Sequence, residues 1–179
     1  QELYCDFAYS VALGDLDGDG HLDAMAANYG GHNPVWTNDG SGNFTNSGQV
    51  LGNNDSTSVA LGDFDGDSDL DAMVANSFQP NTVWLNDGSG TLTDSGQALG
   101  NTDSWSVALG DVDGDGELDA MVANFSTTPS TVWTNDASGI SAVYNQTSGV
   151  WYDSAREAIA VAEAHDTLLV GGSSFDIPG

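Results

Sequence analysis

Short apolar runs alternate along the chain with stretches dominated by glycine, aspartate and asparagine. Val59-Ala60-Leu61-Gly62 and Leu70-Asp71-Ala72-Met73-Val74-Ala75 are two such runs. Brief apolar segments bounded by turn formers are expected of strands covered on both faces. The pattern predicts four strands per unit, at Val59–Gly62, Leu70–Ala75, Thr82–Leu85 and Thr91–Asp94. Asn86-Asp87-Gly88-Ser89-Gly90 supplies the tight turn before the fourth. Ala60, Gly62, Ala72 and Ala75 are small enough to let neighbouring sheets approach closely.

The whole pattern recurs at a shift of 48 residues, the spacing from Asp15 to Asp63 and from Asp63 to Asp111. Ser-Val-Ala-Leu-Gly-Asp stands at Ser10–Asp15, Ser58–Asp63 and Ser106–Asp111. Leu-Asp-Ala-Met-(Ala/Val)-Ala-Asn follows at Leu22–Asn28, Leu70–Asn76 and Leu118–Asn124, and Val-Trp-x-Asn carries Trp36, Trp84 and Trp133. Three copies are therefore expected over 1–48, 49–96 and 97–144. A four-stranded antiparallel unit of about this length is the size of one propeller blade. The predicted fold class is all-β, with tandem four-stranded antiparallel β-propeller-type blades.

The third copy decays after 139, where Ala137 replaces the turn glycine. A short C-terminal helix–strand segment is expected over 145–179. Asp153-Ser154 caps an alanine-rich helix from Ala155 to Ala164, and a strand follows over Asp166–Gly172. This segment is either a cap over an open sheet edge or the start of a parallel β-helix.

Charge sharpens the picture. The 179 residues include 27 acids and a single Lys or Arg, Arg156, for a formal charge of −26. Such an excess repels itself and excludes nucleic acid, whose phosphates need clustered cations. A composition that is 39% hydrophobic, with five Trp, argues for a folded chain. No apolar run is long enough to cross a membrane, so no membrane insertion is expected. The N-terminus lacks the basic-then-apolar pattern of a signal peptide, as expected of a mature chain or a piece of one. Cys5 is the only cysteine and forms no internal disulfide. Asn43, Asn54, Asn124 and Asn145 head Asn-x-Ser/Thr sequons.

Fourteen of the acids lie in three nine-residue loops: Asp15–Asp23, Asp63–Asp71 and Asp111–Asp119. Carboxylates at loop positions 1, 3, 5 and 9, with a main-chain carbonyl from position 7, suit the six to eight oxygen ligands of Ca2+ better than the strict octahedron of Mg2+. The first candidate set is Asp15, Asp17, Asp19, the carbonyl of His21, and Asp23. The second is Asp63, Asp65, Asp67, the carbonyl of Asp69, and Asp71. The third is Asp111, Asp113, Asp115, the carbonyl of Glu117, and Asp119. Change among His, Asp and Glu at position 7 fits a main-chain contact there. An EF-hand would need a glutamate at position 12, which is Ala26, Val74 or Val122.

A nine-residue acid loop between strands, together with Val-Ala-Leu-Gly-Asp, the Ala-Asn strand end and the Asn-Asp-Gly-Ser-Gly turn, resembles FG-GAP repeats over residues 1 to about 139. These repeats, also called VCBS repeats, form the blades of integrin α-subunit propellers. The resemblance implies Ca2+ as cofactor, at three sites made of the residues just named.

No enzyme is expected. Asp-x-Asp-Gly after an apolar strand is similar to a phosphatase nucleophile motif, but threefold recurrence fits a structural loop better than one active site. His21, His32 and His165 show no metal-ligand spacing, and phosphate-binding and hydrolase motifs are absent. Trp36, Trp84 and Trp133 are expected to pack blades. Since three blades fall short of the four to eight of a closed propeller, further copies of the chain or adjacent repeats are expected at the open edges. The expected function is an extracellular calcium-binding repeat module with a structural or adhesive role. The alternative is a carbohydrate-binding module, with glycans as partners.

Overall fold

The computed structural model describes residues 1–136 and five later strand segments, Gly139–Ile140, Val143–Asn145, Val150–Tyr152, Thr167–Val170 and Ser173–Asp176. The first sheet has β1 (Ala8–Gly14), β2 (Asp23–Asn28), β3 (Val35–Asn38) and β4 (Phe44–Asn46), hydrogen-bonded in chain order. The second repeats this with β5 (Ser56–Gly62), β6 (Asp71–Asn76), β7 (Thr82–Asn86) and β8 (Leu92–Asp94). The third has β9 (Ser104–Gly110), β10 (Asp119–Asn124) and β11 (Thr131–Trp133). All pairs are antiparallel, and the acid loop joins the first strand of each sheet to the second.

The first strand begins earlier than its apolar run. Ser56, Thr57 and Ser58 are polar yet buried, because their hydroxyls have partners. Ser56 Oγ donates to Asn76 Oδ1 at 2.8 Å, Thr57 Oγ1 to the Ser104 carbonyl at 2.7 Å, and Ser58 Oγ accepts from the Val107 N–H at 3.3 Å. In each sheet one residue bulges out of this strand: Tyr9, Thr57 or Trp105.

The core lies between sheets. β5 packs beside β1 on one side and β9 on the other. Alternation along β6 sends Ala72 and Val74 toward the first sheet, where they meet Leu16, Met25 and Val35. Met73 and Ala75 point the other way, toward Ala120, Val122 and Trp133. A strand so placed has no solvated face, which is why β6 is buried along its whole length. Each large apolar side chain removed from water contributes about 1.5–3 kcal/mol. The segment that opens each later copy straps the blade before it: Leu51 bridges to Asn33 and Leu99 to Asn81. Trp36, Trp84 and Trp133 are all buried, Trp84 beside Gly52 and Trp133 beside Gly100.

After β11 the blade pattern is not kept. Among the described residues, β12 (Asn135–Asp136) pairs only with β13 (Gly139–Ile140). β14 (Val143–Asn145), β15 (Val150–Tyr152), β16 (Thr167–Val170) and β17 (Ser173–Asp176) form a separate antiparallel sheet in the order β15-β14-β16-β17. The strand expected after Asp166 is β16. The helix expected over Ala155–Ala164 lies outside the described residues.

Candidate metal centres

Each acid loop is folded by its own carboxylates. The position-1 aspartate accepts two main-chain N–H groups: Asp15 from Gly18 and Gly20, Asp63 from Gly66 and Ser68, Asp111 from Gly114 and Gly116. Position 3 accepts the N–H of position 5, and position 5 that of position 7, in all three loops. Such tight winding needs left-handed residues at positions 4 and 6. Gly18, Gly66 and Gly114 have φ of 74°, 79° and 86°. Position 6 has Gly20 and Gly116, but Ser68 in the second loop at φ 79°, which costs about 1 kcal/mol relative to glycine.

Position 9 makes different hydrogen bonds. Asp23, Asp71 and Asp119 are fully buried, and each clamps two amides with its two oxygens. Asp23 accepts from the N–H groups of Leu16 and Asn38 at 2.9 and 2.8 Å. Asp71 accepts from Phe64 and Asn86, both at 2.8 Å, and Asp119 from Val112 and Asn135 at 2.7 and 2.9 Å. The position-9 carboxylate therefore ties the loop to the third strand or, in the third copy, to the residues just after it.

Carboxylate oxygens converge within 4.8 Å of one another in each loop: Asp15, Asp17 and Asp19; Asp63, Asp65 and Asp71; Asp111, Asp113 and Asp115. Asp67 stands outside the second triad, and Asp23 and Asp119 outside the first and third. The position-7 side chains do not join these triads. His21 Nδ1 lies 3.0 Å from Asp19 Oδ1, and its ring covers Gly40, while Asp69 covers Gly88. These residues enter the candidate sets only through their carbonyls.

The electrostatics favour a cation. Burial pushes the Asp17, Asp65 and Asp113 carboxyls up, and neighbouring carboxylates add to it. Burial also raises Asp71. At Asp19 the hydrogen bond from His21 lowers the carboxyl and raises the imidazole. The described residues contain no Lys or Arg, so the triads have no fixed counter-charge nearby. An oxygen already accepting one amide keeps a second lone pair for a metal. Three hard oxygen donors wound tightly around one point fit a divalent cation such as Ca2+.

Sequence reasoning missed one set of residues that bears on the loops. Asn86 Nδ2 reaches across to the Leu16 carbonyl of the preceding loop at 2.8 Å, and Asn135 Nδ2 reaches the Phe64 carbonyl at 2.7 Å. The available signal was the asparagine at a fixed register in Val-Trp-x-Asn. Asn135 also lines a cavity of about 310 Å3 with Asp63 and Glu117, between the second and third loops. The Oδ1 atoms of Asn86 and Asn135 are buried without a hydrogen-bond partner, as expected where ordered water completes a polar site.

Stacked antiparallel sheets with a carboxylate loop at the same end of each define a tandem blade-repeat protein. The FG-GAP-like repeat model matches residues 15–74 and 63–122, two stretches offset by the same 48 residues. The chain belongs to the FG-GAP-like repeat family, whose members are typically extracellular. A comparison with curated proteins gives no match.

Proposed function

We propose that this chain is an extracellular, calcium-stabilised repeat module with a structural or adhesive role and no catalytic activity, its open edges covered by further repeats or further copies. The observation that carries the reading is the carboxylate triad repeated in all three loops. One chemistry in three copies suits a structural part, since metal binding supplies folding free energy to small units. No helix among the described residues is long and apolar enough to cross a membrane, and the family supports a place outside the cell.

Calorimetric titration of the chelator-treated chain tests it. Calcium should bind at three sites and raise the melting temperature, with magnesium much weaker. Absence of saturable calcium binding would overturn the reading.

A second reading is glycan binding, favoured by an aromatic surface at the far end of the first sheet. Phe7, Tyr9 and Tyr29 are exposed there, with Tyr9 and Tyr29 ring centroids 5.4 Å apart. With Asp6 and His32 they line a cavity of about 530 Å3. Aromatic faces beside a few polar groups are the means by which sites orient small ligands. A glycan array on wild type and Tyr9→Ala decides it: binding lost in the variant supports the reading, and no saturable binding removes it.

A further inference from the structure

Two blade–blade contacts inside the chain show what covers each face of a blade. On the face toward the following blade lie the position-2 loop residue, the methionine of the second strand and the glycine that ends the first. On the opposite face lie the leucine before that glycine and the leucine at loop position 8. At the first contact, a Cβ on Gly14 would stand 2.6 Å from Leu70 Cδ1 and 2.9 Å from Leu61 Cδ1. At the second, a Cβ on Gly62 would stand 2.6 Å from Leu118 Cδ1 and 3.0 Å from Leu109 Cδ1. The same two leucines fill the same glycine hollow twice, and each contact carries an asparagine amide on the position-2 carbonyl.

Both ends of the array present half of this contact. On the first blade, the matching leucines Leu13 and Leu22 are 58% and 56% exposed. On the third, no described residue lies within 4 Å of a Cβ on Gly110. Position 2 is 1% exposed at Leu16 and 5% at Phe64, but 58% at Val112. Among the described residues, Asn38 Nδ2 bonds only its own Leu22 carbonyl, whereas Asn86 in the same register bonds both its own Leu70 carbonyl and the loop of the preceding blade.

We propose that a second copy of this chain docks head to tail, its Leu13 and Leu22 entering the hollow at Gly110 and its Asn38 amide reaching the Val112 carbonyl. The contact is heterologous, so repeating it builds a ring where the rotation from blade to blade closes and an open filament where it does not. The argument is continuity with an interface the chain already makes twice. It rests on the calcium reading above, because Leu22 and Val112 belong to acid loops that repel each other until a cation neutralises them.

The test uses the full chain in saturating calcium, with calcium occupancy read separately by calorimetry and mass by light scattering across a dilution series. The expected species is an assembly of two or more copies that comes apart on dilution. Leu22→Asp damages one end and Gly110→Leu fills the other. Among the described residues, the Leu22 side chain is exposed, nothing lies within 4 Å of a Cβ on Gly110, and Gly110 has no left-handed φ. Each variant should weaken association about tenfold or more, the scale of one leucine kept out of its pocket. Mixed together they keep one intact head and one intact tail, so a heterodimer that neither variant forms alone would support the proposal. A calcium-loaded wild type that stays monomeric at every concentration overturns it while leaving the metal reading intact. Association equal to wild type in both variants overturns it as well.

Discussion

Strands β6 and β10 carry the same six residues, Asp-Ala-Met-Val-Ala-Asn, in two different surroundings. Every residue of β6 is buried. In β10 the alternate positions Met121 and Ala123 come to the surface, while Asp119, Ala120 and Val122 stay inside. Met73 is 0% exposed and Met121 52%. Chemistry and register are identical, so the difference belongs to the neighbour: β6 has a blade on each side, and β10, among the described residues, has its preceding blade on one face only. Burial in such an array is a property of position in the series, and stability is a sum of unit and nearest-neighbour terms.

The largest effect is expected where the two strands are alike. Asp71→Ala and Asp119→Ala each strand two buried amide donors, and each should cost about 3–6 kcal/mol in chemical denaturation, at about 1.5–3 per charged hydrogen bond. A large gap between them would mean that the buried clamp also depends on its neighbours. Methionine truncation exposes the contrast itself. Met73→Ala should cost about 2–5 kcal/mol through cavity formation, and Met121→Ala no more than about 0.5 in the monomer. Equal costs would show Met121 covered in solution, and a cost for Met121→Ala that appears only at high protein concentration would tie it to the proposed docking.

Glycine replacement is subtler. Gly62→Ala forces a methyl against Leu118 and should cost about 1–3 kcal/mol, whereas Gly110→Ala should be neutral or stabilising by up to about 1 kcal/mol. Thermal melts of the two variants check the pair. The smallest effect is on pH. With calcium chelated, the raised carboxyls of Asp65 and Asp71 take up protons in the folded chain before the unfolded one does. The contribution of these two groups to stability should therefore be greatest below the unfolded aspartate range and fall as pH rises through the folded values. Calcium, on the proposed binding, should reverse the sign, because binding requires ionised carboxylates. Asp71→Asn should flatten the slope in chelator, and an unchanged slope would assign it elsewhere.

Much of this was legible because one pattern is written three times. The apolar run Val59–Gly62, the acid loop and Asp-Ala-Met-Val-Ala-Asn place three strands of each blade within a few residues. What was hidden is polar and buried at once. Ser56 to Ser58 look like loop by composition, and only their cross-sheet partners make them strand. Asp71 and its counterparts were readable as ligand candidates but not as the buried amide clamps they also are; Asp71 alone of the three enters its triad. Trp84 and Trp133 were readable as packing residues, but the reach of Asn86 and Asn135 into the preceding loop depends on a contact about 70 residues away in sequence. The decay expected in the third copy after 139 was legible as a change of turn chemistry, with Ala137 where the other copies have glycine.

The asparagine contacts also set a direction for motion. Leu16 and Phe64 are each held by an amide from the blade that follows, while among the described residues no side chain reaches the Val112 carbonyl. Opening one loop therefore requires the next blade to let go first. Amide exchange in the first two loops should therefore be slow and tied to the integrity of the blade that follows.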